Sequence, residues 1–432
     1  MPLPNGNILV AIWQAYTPAQ ALAAGRKPAI TGTSVWSAKI EELQPVGSDS
    51  ANIVWQWHLW DHLVQDYDST KNNYGVVANH PELLNVNFYA TGDSLSPDWI
   101  HFNALTYNAD LDQVMLSAHN LSEIYIIDHS TTTAEAATHT GGAHNKGGDF
   151  LYRWGNPQAY NSGTATDRRL YQQHNPTWIP TGCPGAGNIM IFNNGFGRPG
   201  GNASSVDIIT QPVDLAGNYS IITGQAFGPT SASWSYMAPV PADFYSEVMG
   251  GAQRLPNGNT IICEATKGHF FEIDSEKNIV WSYVNPVDSL GDMTQDATSL
   301  TNQVFRCIFN APSYSAFNGL SLTPEGPIEA NPLPYNCNML TTGITVNLQQ
   351  PDAAINVVNP FTDKLLIFSG SDIVNANITL TDIEGRVIQN FNNITIAAQS
   401  NVQLNAPPAL ASGIYLLKIT SSGLNFSAKL AH

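Results

Sequence analysis

A seven-residue segment occurs twice in this chain, as Leu3-Pro4-Asn5-Gly6-Asn7-Ile8-Leu9 and as Leu255-Pro256-Asn257-Gly258-Asn259-Thr260-Ile261. A shorter echo is Gly187-Asn188-Ile189-Met190-Ile191-Phe192. Asn-Gly flanked by alternating apolar residues marks a tight hairpin turn, expected here to hold two residues at positive φ. Each copy is followed by a strand with a polar end and then by an aromatic strand. The aromatic strands read Ile53-Val54-Trp55-Gln56-Trp57, Phe150-Leu151-Tyr152-Arg153-Trp154, Ser233-Trp234-Ser235-Tyr236 and Ile279-Val280-Trp281-Ser282-Tyr283. Four units of four short strands follow from this, over 1–62, 98–157, 170–240 and 243–287, with Gln303–Phe309 opening a partial fifth. Repeated four-stranded units with aromatic closing strands describe the blades of a β-propeller; the competing reading is a set of unrelated antiparallel sheets. The first unit begins at its central hairpin, so a missing preceding strand and an unpaired edge are expected there.

Composition supports an all-β chain built for the outside of a cell. Of 432 residues only 12% are charged and 43% hydrophobic, with 34 Gly, 27 Pro and 10 Trp. Lys+Arg number 17 against 34 Asp+Glu, a formal net charge of −17. So acidic a surface disfavours nucleic acid and anionic membranes as partners. No stretch reaches the ~18 apolar residues of a membrane helix, so no membrane insertion is expected. Nor does Met1 lead into a basic and apolar signal segment. The four cysteines, Cys183, Cys263, Cys307 and Cys337, are too scattered for a disulfide scaffold and form no CxxC pair. Cys263 and Cys307 are expected as buried thiols.

A Pro-, Asn- and Thr-rich stretch around Asn331–Pro351 suits a linker, and the pattern beyond it changes to about seven short strands of a small β-sandwich. The expected organisation is a propeller over 1–335, a linker over 336–352 and a sandwich over 353–432.

The histidines concentrate in the first three units. His101 and Asn103 open the second unit at a spacing that, in a regular strand, puts both side chains on one face. His119 ends the neighbouring strand of that hairpin. His174, in Gln172-Gln173-His174-Asn175, opens the third unit at the corresponding place. Gln56, His58, Trp60 and His62 are expected to share one strand face. His139 and His144 fall in a Gly-rich segment that reads as a mobile loop with solvated imidazoles, and His269 reads as structural. There is no Walker loop, GxSxG elbow, HExxH or calcium-loop pattern, so neither a cofactor nor a metal is expected.

At these residues the chain resembles the bacterial aryl-sulfate sulfotransferases, through LPNGNIL, DWIHFNALTYN, LSAHNLSEIYIIDHSTT, GGDFLYRWGNPQAY, QQHNPTWIP, FNNGFGRPGG and GGAQRLPNGNT. The resemblance implies a six-bladed-type propeller that moves a sulfuryl group between phenols without a nucleotide donor. It also implies that His174 is the nucleophile, that His101 and His119 are catalytic and that Asn103 binds substrate. His119 stands where the family has an arginine. A further family histidine lies before the first hairpin, ahead of residue 1, which implies an N-terminally incomplete propeller. The last 80 or so residues resemble the type IX secretion sorting domain of Bacteroidetes through Asn359-Pro360-Phe361, Asp382–Arg386 and Ser412–Leu417. The implied partners are phenolic sulfate esters, phenols and the type IX secretion machinery, and the implied location is secreted or cell-surface. Two other readings are a non-catalytic propeller binding carbohydrate or protein and, more weakly, a hydrolytic sulfatase, for which no Cys/Ser-x-Pro-x-Arg segment exists.

Overall fold

The fold is that of a computed structural model. It describes residues 1–90, 94–295, 297, 299, 301–311, 314–323, 326–332, 355–357, 361, 363–382, 386–398, 400–407, 410–411, 413–422 and 424–432. The chain divides into two compact units, Met1–Thr342 and Gly343–His432. The expected linker and Cys337 lie outside the described residues, as do Asn359, Pro360, Ile383–Gly385 and Ser412 of the sorting-domain motifs.

The first unit is a succession of antiparallel sheets in the manner of propeller blades. β1–β3 (Ile8–Tyr16, Val35–Val46, Ser50–His58) form the first, and β4–β7 (Phe102–Asn108, Gln113–Ala118, Glu123–Asp128, Phe150–Trp154) the second. β8–β11 (His174–Trp178, Ile189–Asn193, Ser205–Ile209, Trp234–Tyr236) form the third, and β12–β15 (Gly251–Arg254, Thr260–Glu264, His269–Ile273, Ile279–Val284) the fourth. Within each sheet the strands pair in chain order. On its inner side β1 meets, among the described residues, the chain's own first residues, through a bridge from Pro2 to Ile8 and hydrogen bonds from Leu9 N–H to Met1 O (2.8 Å) and from the Met1 amino group to Leu9 O (2.9 Å).

The sequence dictates this stacking through period-two alternation on strands covered on both faces. In β5, Val114 and Leu116 join a core with Leu9, Ile40, Trp55 and Trp57 of the first sheet. Met115, between them, joins Ile189 and Ile191 of the third. Likewise Ile189 and Ile191 face the second sheet, while Met190 and Phe192 pack with Ile262 and Phe271 of the fourth. Each pair of neighbouring sheets thus encloses one apolar layer.

Three local expectations need correction. The Pro-Asn-Gly turn is a three-residue loop: Leu3 N–H donates to Asn7 O at 2.8 Å, Gly6 N–H to Leu3 O at 3.0 Å, and Gly6 has φ +87°. Proline fixes a negative φ beside the asparagine, so only the glycine turns left-handed. Gln303–Phe309 forms no strand. It runs beside the fourth sheet, with Gly250 N–H donating to Phe305 O at 3.2 Å, and no hairpin follows it among the described residues. The face proposed for Gln56–His62 is interrupted, because β3 ends at His58 and Leu59–Asp61 form a 3₁₀ turn.

The second unit is a two-sheet sandwich. β16, β17 and β20 (Ile355–Val357, Lys364–Ser369, Ser400–Asn405) make one sheet. β18, β19, β21 and β22 (Ile373–Asp382, Val387–Ile396, Ile414–Ser421, Leu424–Ala431) make the other. Leu365, Ile367, Ile378, Leu380, Leu417 and Ile419 fill the space between them.

Candidate functional site

The inner strands of the second and third sheets bring three imidazoles together. His101 precedes β4 at φ +52°, an uncommon conformation for a side chain with Cβ. Backbone hydrogen bonds from His119 N–H to His101 O (3.1 Å) and from Asn120 N–H to Ile100 O (3.1 Å) set the two histidines across the hairpin mouth. Their ring centroids are 5.1 Å apart, and the His119 centroid is 5.2 Å from that of His174. The outer two rings can therefore be no farther apart than these two steps together.

Asn103 does not share a regular strand face with His101. The register of β4 shifts between Phe102 and Ala104, so Asn103 sits in a bulge, and its Nδ2–H donates to Gln173 O at 2.8 Å. The Gln173 side chain answers across the same seam, its Nε2–H donating to Ser117 Oγ (3.0 Å) and Glu123 O (2.8 Å). These bonds strap the second sheet to the third beside His174.

Hydrogen bonding fixes the tautomers. The Asn194 amide donates to Ser246 O (2.8 Å) and Met249 O (2.9 Å), so its Oδ1 accepts from His174 Nδ1–H at 2.8 Å. The lone pair of His174 is therefore on Nε2, where it accepts a long 3.2 Å bond from Met249 N–H. By the same logic Asn120 donates to Asp98 O and accepts from His119 Nδ1–H at 2.7 Å, leaving the His119 lone pair on Nε2. His101 Nδ1–H points at the Asp98 carboxylate, 2.6 Å away.

Burial, followed by the neighbouring imidazoles His119 and His101, pushes His174 down to about 3. Burial likewise carries His119 down to about 4. Both are uncharged at neutral pH. In the unfolded chain they would titrate near 6.5. Above that pH neither state binds the proton and these groups leave stability unchanged. Below it the unfolded state gains protons that the folded state refuses, so stability falls as pH drops from about 6.5 towards 4. Urea melts at pH 7.5 and 5 should show that loss, at most about 2 kcal/mol per histidine, and His119→Gln/His174→Gln should reduce the difference between the two pH values.

Two neighbours were not anticipated from the sequence. Trp13, 53% exposed, has its ring centroid 5.9 Å from that of His101. Its place on the open face of β1 was the available signal. Arg306, in the segment after the fourth sheet, has a buried Nε with no hydrogen-bond partner. A Cβ built on Gly251 would lie 3.4 Å from Arg306 Cγ and 2.3 Å from Asn175 Oδ1, so this glycine is flanked by a cation and by the residue after His174.

Elsewhere, the loop imidazoles are not solvated freely. His139 Nδ1 meets Asp149 Oδ1 at 2.8 Å, and His144 meets Asn218 Oδ1 at 2.9 Å and Gln113 Nε2 at 3.2 Å. His269 pairs with Glu264 at 2.9 Å. Cys263 is buried and Cys307 half-buried, and both are free thiols.

Residues 45–304 match the family model "Arylsulfotransferase (ASST)", and residues 359–431 match "Secretion system C-terminal sorting domain". The chain belongs to the arylsulfotransferase family, a sulfotransferase family, and carries a type IX sorting domain, which indicates secretion or cell-surface attachment. No match was found among curated proteins. Solved structures with some likeness include CopC from Methylosinus trichosporium OB3b, with 17% identity over 18% of this chain and 89% of that one at TM-score 0.15. Another is a protein of unknown function from Bacteroides caccae, with 10% identity over 83% and 90% at TM-score 0.24. Virginiamycin B lyase from Staphylococcus aureus shows 9% identity over 76% and 83% at TM-score 0.23. Likeness this low bears on neither fold nor activity.

Proposed function

We propose that this protein moves a sulfuryl group from an aryl sulfate to a phenol through a sulfo-histidine on His174, without a nucleotide sulfate donor. The observation that carries this reading is the state of His174: an uncharged ring, held by Asn194 in the tautomer that leaves the lone pair on Nε2. A neutral imidazole is a nucleophile at pH 7, and a covalent intermediate divides one difficult transfer into two easier ones.

In the first half-reaction the Nε2 lone pair attacks sulfur. The N–S bond forms as the S–O(aryl) bond breaks, and the bonding pair leaves on the phenolate oxygen. His101, entering this step as the imidazolium with its Nδ1–H on the Asp98 carboxylate, gives its Nε2 proton to that oxygen. In the second half-reaction an acceptor phenol returns a proton to His101 while its oxygen attacks sulfur. The N–S bond breaks and His174 recovers its lone pair. The Met249 N–H, displaced from Nε2 by sulfur, is placed to donate to a sulfuryl oxygen.

Neutral His119 carries its lone pair on Nε2, so in this tautomer it accepts rather than donates and does not replace the family's arginine as an anion donor. We assign the charge-balancing role instead to Arg306, whose side chain passes Gly251 beside Asn175. Asn103 also fixes the Gln173–His174 backbone through its Nδ2–H, beside the substrate-binding role that the resemblance gives it. Trp13 offers the aryl ring an apolar platform. Trp13→Ala should raise KM for nitrophenyl sulfate roughly fivefold, on the scale of about 1 kcal/mol for an aromatic pair, with little change in kcat, as steady-state kinetics would show.

The test is nitrophenol release from nitrophenyl sulfate with and without added phenol. Transfer predicts phenol-dependent turnover and, with donor alone, a chain heavier by one sulfuryl group in non-acidic mass spectrometry. Donor turnover insensitive to phenol and without such an adduct would contradict it.

A further inference from the structure

A second group of ligand-type side chains lies away from the inner strands, where the connection from β6 to β7 folds over the first sheet. That connection, residues 129–149, is anchored on β3. Gln56 N–H donates to Thr133 Oγ1 at 3.2 Å, and Trp57 Nε1–H donates to Gly148 O at 2.7 Å. It carries His139 and Asp149 to His62, which follows β3. One donor atom from each of the three residues lies within 4.8 Å of the others.

The hydrogen bonding of His62 is unusual for a buried imidazole. Its Nε2 is 2.9 Å from the Ala136 carbonyl, which requires N–H there. In the neutral ring that leaves the Nδ1 lone pair facing Asp149 Oδ1 at 2.8 Å, two electron-rich atoms in contact. His139 Nδ1 approaches the same carboxylate oxygen at 2.8 Å from another direction. Two imidazole nitrogens and a carboxylate converging on one point create a demand for a cation. A histidine whose far N–H is held by a backbone carbonyl is also how metal-binding imidazoles are oriented.

The surroundings hold the arrangement in place. The His62 ring stacks on Trp57, with interplanar angle 4° and centroids 5.6 Å apart. A Cβ on Gly148 would sit 2.5 Å from His62 Nε2 and 2.2 Å from Ala136 O, so only glycine lets the loop close this tightly. His62 is fully buried, whereas the His139 side chain is 59% exposed. His139 and Asp149 also line a cavity of about 500 Å³ with Trp60, Asn73, His80 and Glu82.

We propose that His62 Nδ1, His139 and Asp149 bind one divalent transition-metal ion of the zinc type. Donors on such an ion at about 2.0–2.2 Å stand roughly 3.3 Å from one another, within side-chain adjustment of the separations seen here. Two imidazoles and one carboxylate suit zinc and its neighbours, whereas calcium and magnesium require oxygen-rich shells. Three protein ligands leave a coordination position facing the cavity for water. The ion ties the 129–149 loop of the second sheet to the chain following the first, and this role is independent of sulfuryl transfer at His174.

Zinc itself is the probe. Chelator-treated protein, re-equilibrated with a small excess of Zn²⁺ and desalted, should retain one more equivalent by elemental analysis than the His139→Ala variant. His139 is exposed enough for its removal to spare the fold, as circular dichroism would verify. Zn²⁺ should raise the wild-type Tm by about 2–5 °C and leave that of His139→Ala unmoved. His144→Ala, on the same loop but outside the cluster, should retain the wild-type stoichiometry and shift. Equal zinc retention by wild type and His139→Ala, or equal losses in His139→Ala and His144→Ala, would overturn the assignment.

Discussion

His174→Ala should eliminate sulfuryl transfer, lowering turnover of nitrophenyl sulfate by at least about 10³-fold, with no sulfuryl adduct in the mass spectrum. The size of the effect follows from the position of the ring. No other imidazole in the cluster combines an Nε2 lone pair with a backbone N–H ready to receive a sulfuryl oxygen. The fold should survive, because the strap between the second and third sheets is made by the Asn103 and Gln173 groups and not by the His174 ring. Asn194→Ala should give an intermediate loss by freeing the ring to rotate and change tautomer. A His174→Ala variant transferring at the wild-type rate would remove His174 from the mechanism.

Arg153→Met should be the most destabilising single change in the first unit. Arg153 and Glu123 are both fully buried on adjacent strands, with Nε–H donating to Oε1 at 3.0 Å and a second bond from Nη2 to Oε2. The guanidinium also donates to Leu83 O at 2.9 Å and lies 4.3 Å from the Tyr160 ring centroid. Removing the cation leaves a carboxylate enclosed without its partner, at a cost of about 3–5 kcal/mol. Burial already pushes the Glu123 carboxyl upward against the pull of Arg153, so in the variant it should take up a proton. Glu123→Gln added to Arg153→Met should recover much of the loss. Denaturant unfolding of the wild type, the single and the double variant distinguishes this from a simple packing defect, for which the second change would bring no recovery.

The blades were legible because their signals are local. Turn residues, period-two apolar runs and the closing Trp and Tyr strands all lie within a few tens of residues, and the four sheets form where these signals fall. What escaped was irregularity imposed by tertiary packing. The bulge at Asn103 and the 3₁₀ break after His58 interrupt runs that look regular in sequence. Closure into six blades is what the resemblance implies, and it goes beyond the four sheets of three or four strands described in the first unit. The equivalence of unit openings singled out His101 and His174, but tautomers depend on Asn194 and Asn120 and on which way their amides point, which spacing does not encode. Trp13 comes from the first sheet and Arg306 from beyond the fourth, and only the stacking of sheets brings Trp13 to His101 and Arg306 to Gly251, beside Asn175. The His62, His139 and Asp149 cluster was hidden for the same reason: His62 closes the first unit of the repeat pattern, whereas His139 and Asp149 lie in the second.

The alternation along Gln113–Ala118 has a consequence for how such a chain can change over generations. Val114 and Leu116 serve one apolar layer and Met115 the next, so inserting or deleting one residue there would turn both layers inside out at once. Neighbouring blades are thereby bound to a shared reading frame and cannot drift in length independently. Tolerance for added or lost residues is confined to exposed connections between strands, such as 196–202 between β9 and β10, where backbone can lengthen without entering a layer. Novelty in this lineage is expected to accumulate in those stretches while the scaffold of aligned strands stays fixed, and sequences of relatives, aligned by blade, would show length variation concentrated in them.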